Sequence, residues 1–217
     1  MSLYTNLSQF NGATDEAELQ MKFKTLASVF LYGGYINVRN KYKIYIRTVE
    51  FYFHSESSVG VHDTIVYHRN GRGLDKVAYF PIMTLHAHDS GFDITFESEA
   101  GQYRASALIR AYEVINNEGK YLKWIANKTD SKKSKFEIFD DYQYNTQSTY
   151  LYILLNGFTL GNTNGIEWID SQRTQNRDIS IKARQGVYKS ANEYEYKPII
   201  PKVKCNRKWS FTREDKV

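Results

Sequence analysis

Apolar residues recur at helical spacing only near the start of the chain. In residues 15–31, DEAELQMKFKTLASVFL, the positions Leu19, Phe23, Leu26, Ala27 and Phe30 fall on one stripe, and polar side chains fill the rest of the turn. Asp15 with Glu18 makes a capping box at the front of this helix, and Tyr32-Gly33-Gly34 stops it. Beyond it the period changes to two. In KYKIYIRTVEFYF (41–53), strict alternation puts Tyr42, Ile44, Ile46, Thr48 and Glu50 on one face, with Tyr45, Val49 and Phe51 mostly on the other. That count places Glu50 beside Ile44, Ile46 and Tyr52, aimed at a pocket or at the wet rim of a sheet.

The rest of the pattern is rich in strands. Residues 54–79 read as a polar loop with an Asn-Gly turn at 70–71. Segments 82–88 and 91–98 read as two strands joined by Asp89-Ser90. Further strands are expected at 103–115, 120–126, 165–170, 178–187 and 208–214, with a mobile connection at 131–147 and a short helix over 148–158 closed by Gly157. No internal repeat or linker divides the chain. The expectation is one α+β domain over residues 1–217, mostly antiparallel sheet with a few helices.

Composition narrows the function classes. No 18-residue apolar run occurs, so no membrane partner is expected. The first ten residues lack a secretory pattern, and the one cysteine, Cys205, excludes an internal disulfide. Both point to a cytoplasmic protein. Residues 182–217 hold ten Lys/Arg and four Asp/Glu, a net +6 against +5 for the whole chain. Basic residues beside aromatic ones suit a polyanion such as nucleic acid, and equally a solvated tail. The 18 tyrosines and 12 phenylalanines suit half-buried sheet faces, with a few left for stacking on a ligand.

All five histidines lie between residues 54 and 88. His86 and His88 share a strand face two residues apart, a spacing that can chelate zinc or iron with Asp89, His54 or His62 completing the shell. No P-loop, Gly-x-Gly-x-x-Gly, Cys-x-x-Cys or Gly-x-Ser-x-Gly occurs.

Five short stretches, in order over residues 45–214, carry a resemblance. They are Glu50-Phe51-Tyr52, YHRNGR (67–72), ASALIRAYEV (105–114), KARQGV (182–187) and KWSFTRE (208–214). Together the chain resembles the alkylpurine (3-methyladenine) DNA glycosylase family. That resemblance implies the family's fold and a monofunctional N-glycosylase. Such an enzyme flips a modified purine out of double-stranded DNA and hydrolyses its N-glycosidic bond, with no metal or cofactor. By the resemblance, Glu50 activates water and Arg110 helps hold it. Tyr52 and a histidine, His68 or His62, sandwich the base. His86 or His88 stands nearest the family's missing wedge tyrosine, and Asp93 replaces the family's asparagine, where an acid repels phosphate and changes which base edge is accepted. Arg72, Lys182, Arg184 and Lys189 are the expected phosphate contacts. The rival readings are a catalytically silent nucleic-acid-binding relative and a metal-dependent enzyme built on His86 and His88.

Overall fold

The computed structural model describes residues 2–63, 65–66, 78–155, 165–171, 178–190 and 199–214. A short helix α1 (Leu3–Ser8) precedes the long helix α2 (Glu16–Tyr32). The expected cap is present: the Asp15 side chain accepts the Glu18 amide at 2.9 Å. Leu19, Phe23, Leu26, Ala27 and Phe30 all point into the core.

Two strands of 14 residues form the spine of the sheet, β2 (Tyr42–Ser55) and β5 (Tyr103–Asn116). Around them lie β1 (Gly34–Val38), β3 (Leu85–His88), β4 (Gly91–Thr95), β6 (Tyr121–Ile125) and β7 (Lys135–Phe139). The later strands are β8 (Ile166–Asp170), β9 (Ile179–Lys182) and β12 (Ser210–Arg213). These ten make one sheet, and every pairing in it is antiparallel. A separate hairpin joins β10 (Tyr188–Ser190) to β11 (Ile199–Lys204). A short helix α3 (Leu151–Leu154) follows a 3-10 turn at Ser148–Tyr150. The domain is therefore the strand-rich α+β unit that the pattern implies.

The main path runs β3-β4-β5-β2-β1-β8, while β12 pairs with β2 and carries β9 outward. The edge of β2 away from β5 is thus shared, with β1 against residues 42–44 and β12 against 48–50. The face carrying Val49, Phe51 and Phe53 is covered by α2. Phe23 stacks on Phe51 at 4.6 Å between centroids, and Phe211 and Phe96 meet Phe51 edge-on. Each such buried ring contributes about 1.5–3 kcal/mol of apolar transfer.

Three expectations change. The β2–β5 ladder is irregular between Ile46 and Val49, and neither Arg47 nor Arg110 has a Cα partner in it. Ile44 and Ile46 consequently lie in the same buried cluster as Val49, Phe51 and Phe53. Glu50 faces away from that cluster, so plain alternation across residue 47 misplaced it. Residues 131–147 are not a loose connection: they hold β7, paired with β6 from Tyr121–Phe139 to Ile125–Lys135. Last, Gly34 does not merely end α2 but opens β1. Gly157 lies outside the described residues.

Candidate functional site

A single cross-strand row crosses six strands. His86 stands opposite Asp93, Asp93 opposite Leu108, Leu108 opposite Glu50, Glu50 opposite Ser210, and Ser210 opposite Lys182. Directly opposed residues project to the same side of a sheet. Four residues singled out in the sequence, His86, Asp93, Glu50 and Lys182, therefore share the face away from α2. Tyr52 joins them, two positions along β2.

Glu50 is the buried centre of this face, at 2% exposure. Its Oε2 takes an ion pair from Arg110 Nε at 3.0 Å and a hydrogen bond from the Tyr52 hydroxyl at 3.2 Å. Its Oε1 accepts the Gln185 amide at 2.8 Å. Arg110 in turn donates to the Gln185 carbonyl at 2.9 Å and the Ser90 carbonyl at 3.4 Å. The loop after β9 is thus pinned to the carboxylate and to the guanidinium at once. Burial of the Tyr52 phenol raises its pKa well above the ordinary value, so it stays a proton donor at neutral pH.

Arg184 lies under this cluster rather than at the surface. It is 4% exposed, ion-paired in a fork with Asp63, and donates to the Phe51 carbonyl at 3.3 Å. Its guanidinium stacks over the Tyr52 ring at 4.6 Å and the Trp209 ring at 4.9 Å, and it reaches Cys205 Sγ at 3.6 Å. Burial alone would weaken the arginine's charge, but the Asp63 ion pair and hydrogen bond outweigh it and raise the Arg184 pKa. The expected phosphate contact at Arg184 is therefore corrected: a buried guanidinium committed to Asp63 cannot meet a phosphate. Lys182 and Lys189 are exposed, as phosphate contacts require. Arg207 is committed to Glu16, Asp63 and the His62 carbonyl, and Arg213 is buried against Glu113, so part of the C-terminal charge excess serves the fold.

Asp93 is not an open acid at the surface. Its Oδ2 meets His88 Nε2 at 3.0 Å, and His88 Nδ1 accepts the Ser90 amide at 3.2 Å. Accepting at Nδ1 assigns the ring proton to Nε2, which then donates to Asp93. The His86 ring lies 5.8 Å from that of His88 and 4.9 Å from Phe80. The His62 ring packs edge-on against His54 at 5.4 Å. Among the described residues no group of three or more His, Cys, Asp or Glu could hold a metal ion. His68 and Arg72 lie outside the described residues. None of the described helices is long and apolar enough to cross a membrane.

Two partners were invisible to sequence reasoning. Gln185 acts through its main chain, which leaves no side-chain signal. Asp63 follows His62 directly in sequence, yet nothing local marks it as the counter-ion of a residue 121 positions away. No protein-family model, curated protein or solved structure matches the chain.

Proposed function

We propose that this chain is a DNA glycosylase-like protein that excises a modified purine from double-stranded DNA. The observation that carries the reading is the Glu50 clamp. Glu50, Tyr52, Arg110 and Gln185 come from three separate stretches of the resemblance and meet at one carboxylate. A carboxylate fixed by three donors is oriented before substrate arrives, which is the property a water-activating group needs. In the reaction, water attacks the sugar carbon as the carbon–nitrogen bond to the base breaks. Glu50 takes the water's proton, and its negative charge stabilises the cationic sugar of the transition state. Arg110 holds Glu50 in place. Tyr52 keeps its proton, with His62 and His86 as the remaining candidates for base contact. Lys182 and Lys189 would meet phosphates, and the chemistry calls for no cofactor. A cytoplasmic location fits the single, unpaired cysteine.

A second reading, a silent nucleic-acid-binding relative, draws on a specific observation. Both Glu50 oxygens already hold protein donors, and Arg184 covers one face of the Tyr52 ring. One experiment separates the two. Duplexes carrying alkylated purines or hypoxanthine are incubated with the native protein and with Glu50→Gln, and free base is measured beside DNA affinity at two salt concentrations. Base release by the native protein that vanishes in the variant supports excision. Salt-dependent binding without release supports the silent relative. Neither binding nor release removes DNA as the partner.

A further inference from the structure

A continuous chain of polar contacts ties the β3–β4 hairpin to Glu50. His88 Nε2 donates to Asp93 Oδ2 at 3.0 Å, and His88 Nδ1 accepts the Ser90 amide at 3.2 Å. The Ser90 carbonyl accepts from Arg110 Nη1 at 3.4 Å, and Arg110 Nε closes on Glu50 at 3.0 Å. Register fixes the spacing of the two carboxylates. Asp93 and Glu50 flank Leu108 on the same face, two strand spacings or about 10 Å apart. Tyr52, His86 and Arg110 around them are each partly exposed, which leaves this face an approach from solvent.

Two features make Asp93 more than a strut of the hairpin. Its second oxygen, Oδ1, is buried and has no hydrogen-bond partner. A buried carboxylate oxygen is costly to leave bare, so the position suits a donor that arrives with a ligand. The second feature is charge. Because His88 Nδ1 accepts an amide, His88 gives Asp93 a neutral donor and no compensating cation. Along the chain from Asp93 to Glu50, two carboxylates face one guanidinium. One negative charge is left over, and it lies on Asp93, the acid farther from Arg110 along that chain.

We propose that Asp93 Oδ1 determines specificity on this face, and that it selects a cationic, N-alkylated purine presenting an N–H to it. That the ring is a purine rests on the excision reading; the preference for a cation rests on Asp93. A carboxylate accepts hydrogen bonds and offers none, so it favours a base edge that donates. The chemistry of excision agrees. As water oxygen bonds the sugar carbon and Glu50 takes its proton, the electrons of the breaking carbon–nitrogen bond return to the purine. A cationic purine then leaves neutral and needs no proton from the protein. A neutral purine leaves as an anion unless it is protonated, and Asp93 repels that anion. Because the ring loses its charge as the bond breaks, Asp93 acts on binding rather than on the bond-breaking step.

The test uses two isomers on the full chain, 1-methyladenosine, a cation at neutral pH, and neutral N6-methyladenosine. Binding is followed by calorimetry and saturation-transfer NMR. The cation is expected to bind about tenfold more tightly than its isomer, the size of one charge-assisted hydrogen bond. Asp93→Asn keeps the side-chain shape and an acceptor for His88 but removes the charge. It should bring the cation to the affinity of the isomer and leave the isomer unchanged. If that variant does not fold, the ratio measured on the native chain decides alone. The proposal is overturned if the cation does not saturate by about 10 mM, if the isomers bind equally, or if Asp93→Asn keeps the preference. Release of 7-methylguanine and hypoxanthine from duplexes is measured beside this. Release of both bases at equal rates would leave excision standing and sink the role of Asp93. A cation preference lost in Asp93→Asn, with no base released from either duplex, would do the reverse.

Discussion

Arg110 Nε lies 3.0 Å from Glu50 Oε2, although the two residues are not paired in the ladder that joins their strands. Glu50 stands opposite Leu108, and Arg110 is a residue the β2–β5 register skips. The other skipped residue is also an arginine, Arg47, which turns instead toward Glu113 and Tyr142. An irregular ladder re-aims side chains that a regular one would hold perpendicular to the sheet. Here it supplies a cation to each of two buried carboxylates, Glu50 at 2% and Glu113 at 0% exposure. The geometry of the candidate site thus depends on a defect in the strand pairing.

Removing the cation should expose that dependence. Arg110→Met leaves Glu50 buried with only the Tyr52 hydroxyl and the Gln185 amide. The usual loss for one partner of a buried pair is about 3–5 kcal/mol; because the Arg110 side chain keeps 26% of its exposure, about 2 kcal/mol is expected. Urea unfolding of Arg110→Met, Glu50→Gln and the double variant gives the coupling directly. A coupling near zero would show that the ion pair is incidental.

The Arg184–Asp63 pair should behave more sharply, because both side chains are nearly inaccessible. Asp63→Asn alone leaves a buried guanidinium uncompensated and should cost about 3–5 kcal/mol. Asp63→Leu combined with Arg184→Met should recover most of that loss, since an apolar pair of similar volume carries no desolvation penalty. Denaturation midpoints of the single and double variants decide it. A double variant as unstable as Asp63→Asn would mean that the stacking on Tyr52 and Trp209, rather than charge, holds this region together.

Much of this arrangement was legible beforehand, for physical reasons that differ by element. Helix α2 announced itself because cap, stripe and glycine stop agree. The β3–β4 hairpin was readable from its polar Asp89-Ser90 tip, followed by Gly91, whose φ of 153° a side chain would rarely adopt. Strand β7 was hidden by its lysines: SKKSK has the composition of a loop, but a two-sided edge strand with exposed Lys135 and Ile138 needs no apolar run. Strand β1 was masked by Gly33-Gly34, which serve both a helix end and a strand start. At the site, Glu50 and Arg110 were named together, yet their contact depends on an irregularity that period-two counting cannot see. The Gln185 clamp is made by backbone, which every residue type carries.

The aromatic core offers a check on the helix–sheet contact. Phe23 stacks on Phe51 at 4.6 Å and meets Phe10 and Trp209, all fully or nearly buried. Phe23→Ala should cost about 3–5 kcal/mol, and Phe23→Leu clearly less, because leucine refills part of the cavity. Both are measured by thermal or chemical unfolding. Equal losses would indicate that α2 shifts to close the gap.

Alkaline pH should unfold the chain through its buried tyrosines, and among the described residues Tyr103 is a buried one whose range can be reached in solution. It is 4% exposed, and its hydroxyl donates to the Phe10 carbonyl at 2.7 Å, tying β5 to the segment before α2. Burial pushes its pKa up to about 12 from the ordinary 10.0. The folded state therefore binds the phenolic proton more tightly than the unfolded state does. The stability this contributes is complete below pH 10, declines above it, and is gone once the pH passes about 12. Two pH units of such linkage correspond to at most about 2–3 kcal/mol. Tyr103→Phe should cost about 1 kcal/mol at pH 7 through the lost hydrogen bond. The same variant should lose stability less steeply above pH 10, because phenylalanine has no proton to give up. Urea midpoints between pH 8 and about 11.5, read beside tyrosinate absorbance, measure the difference between the two proteins. Other buried phenols, among them Tyr52 and Tyr112, remain in both and cancel in the comparison. Parallel declines for native protein and variant would assign the alkaline instability to those residues instead.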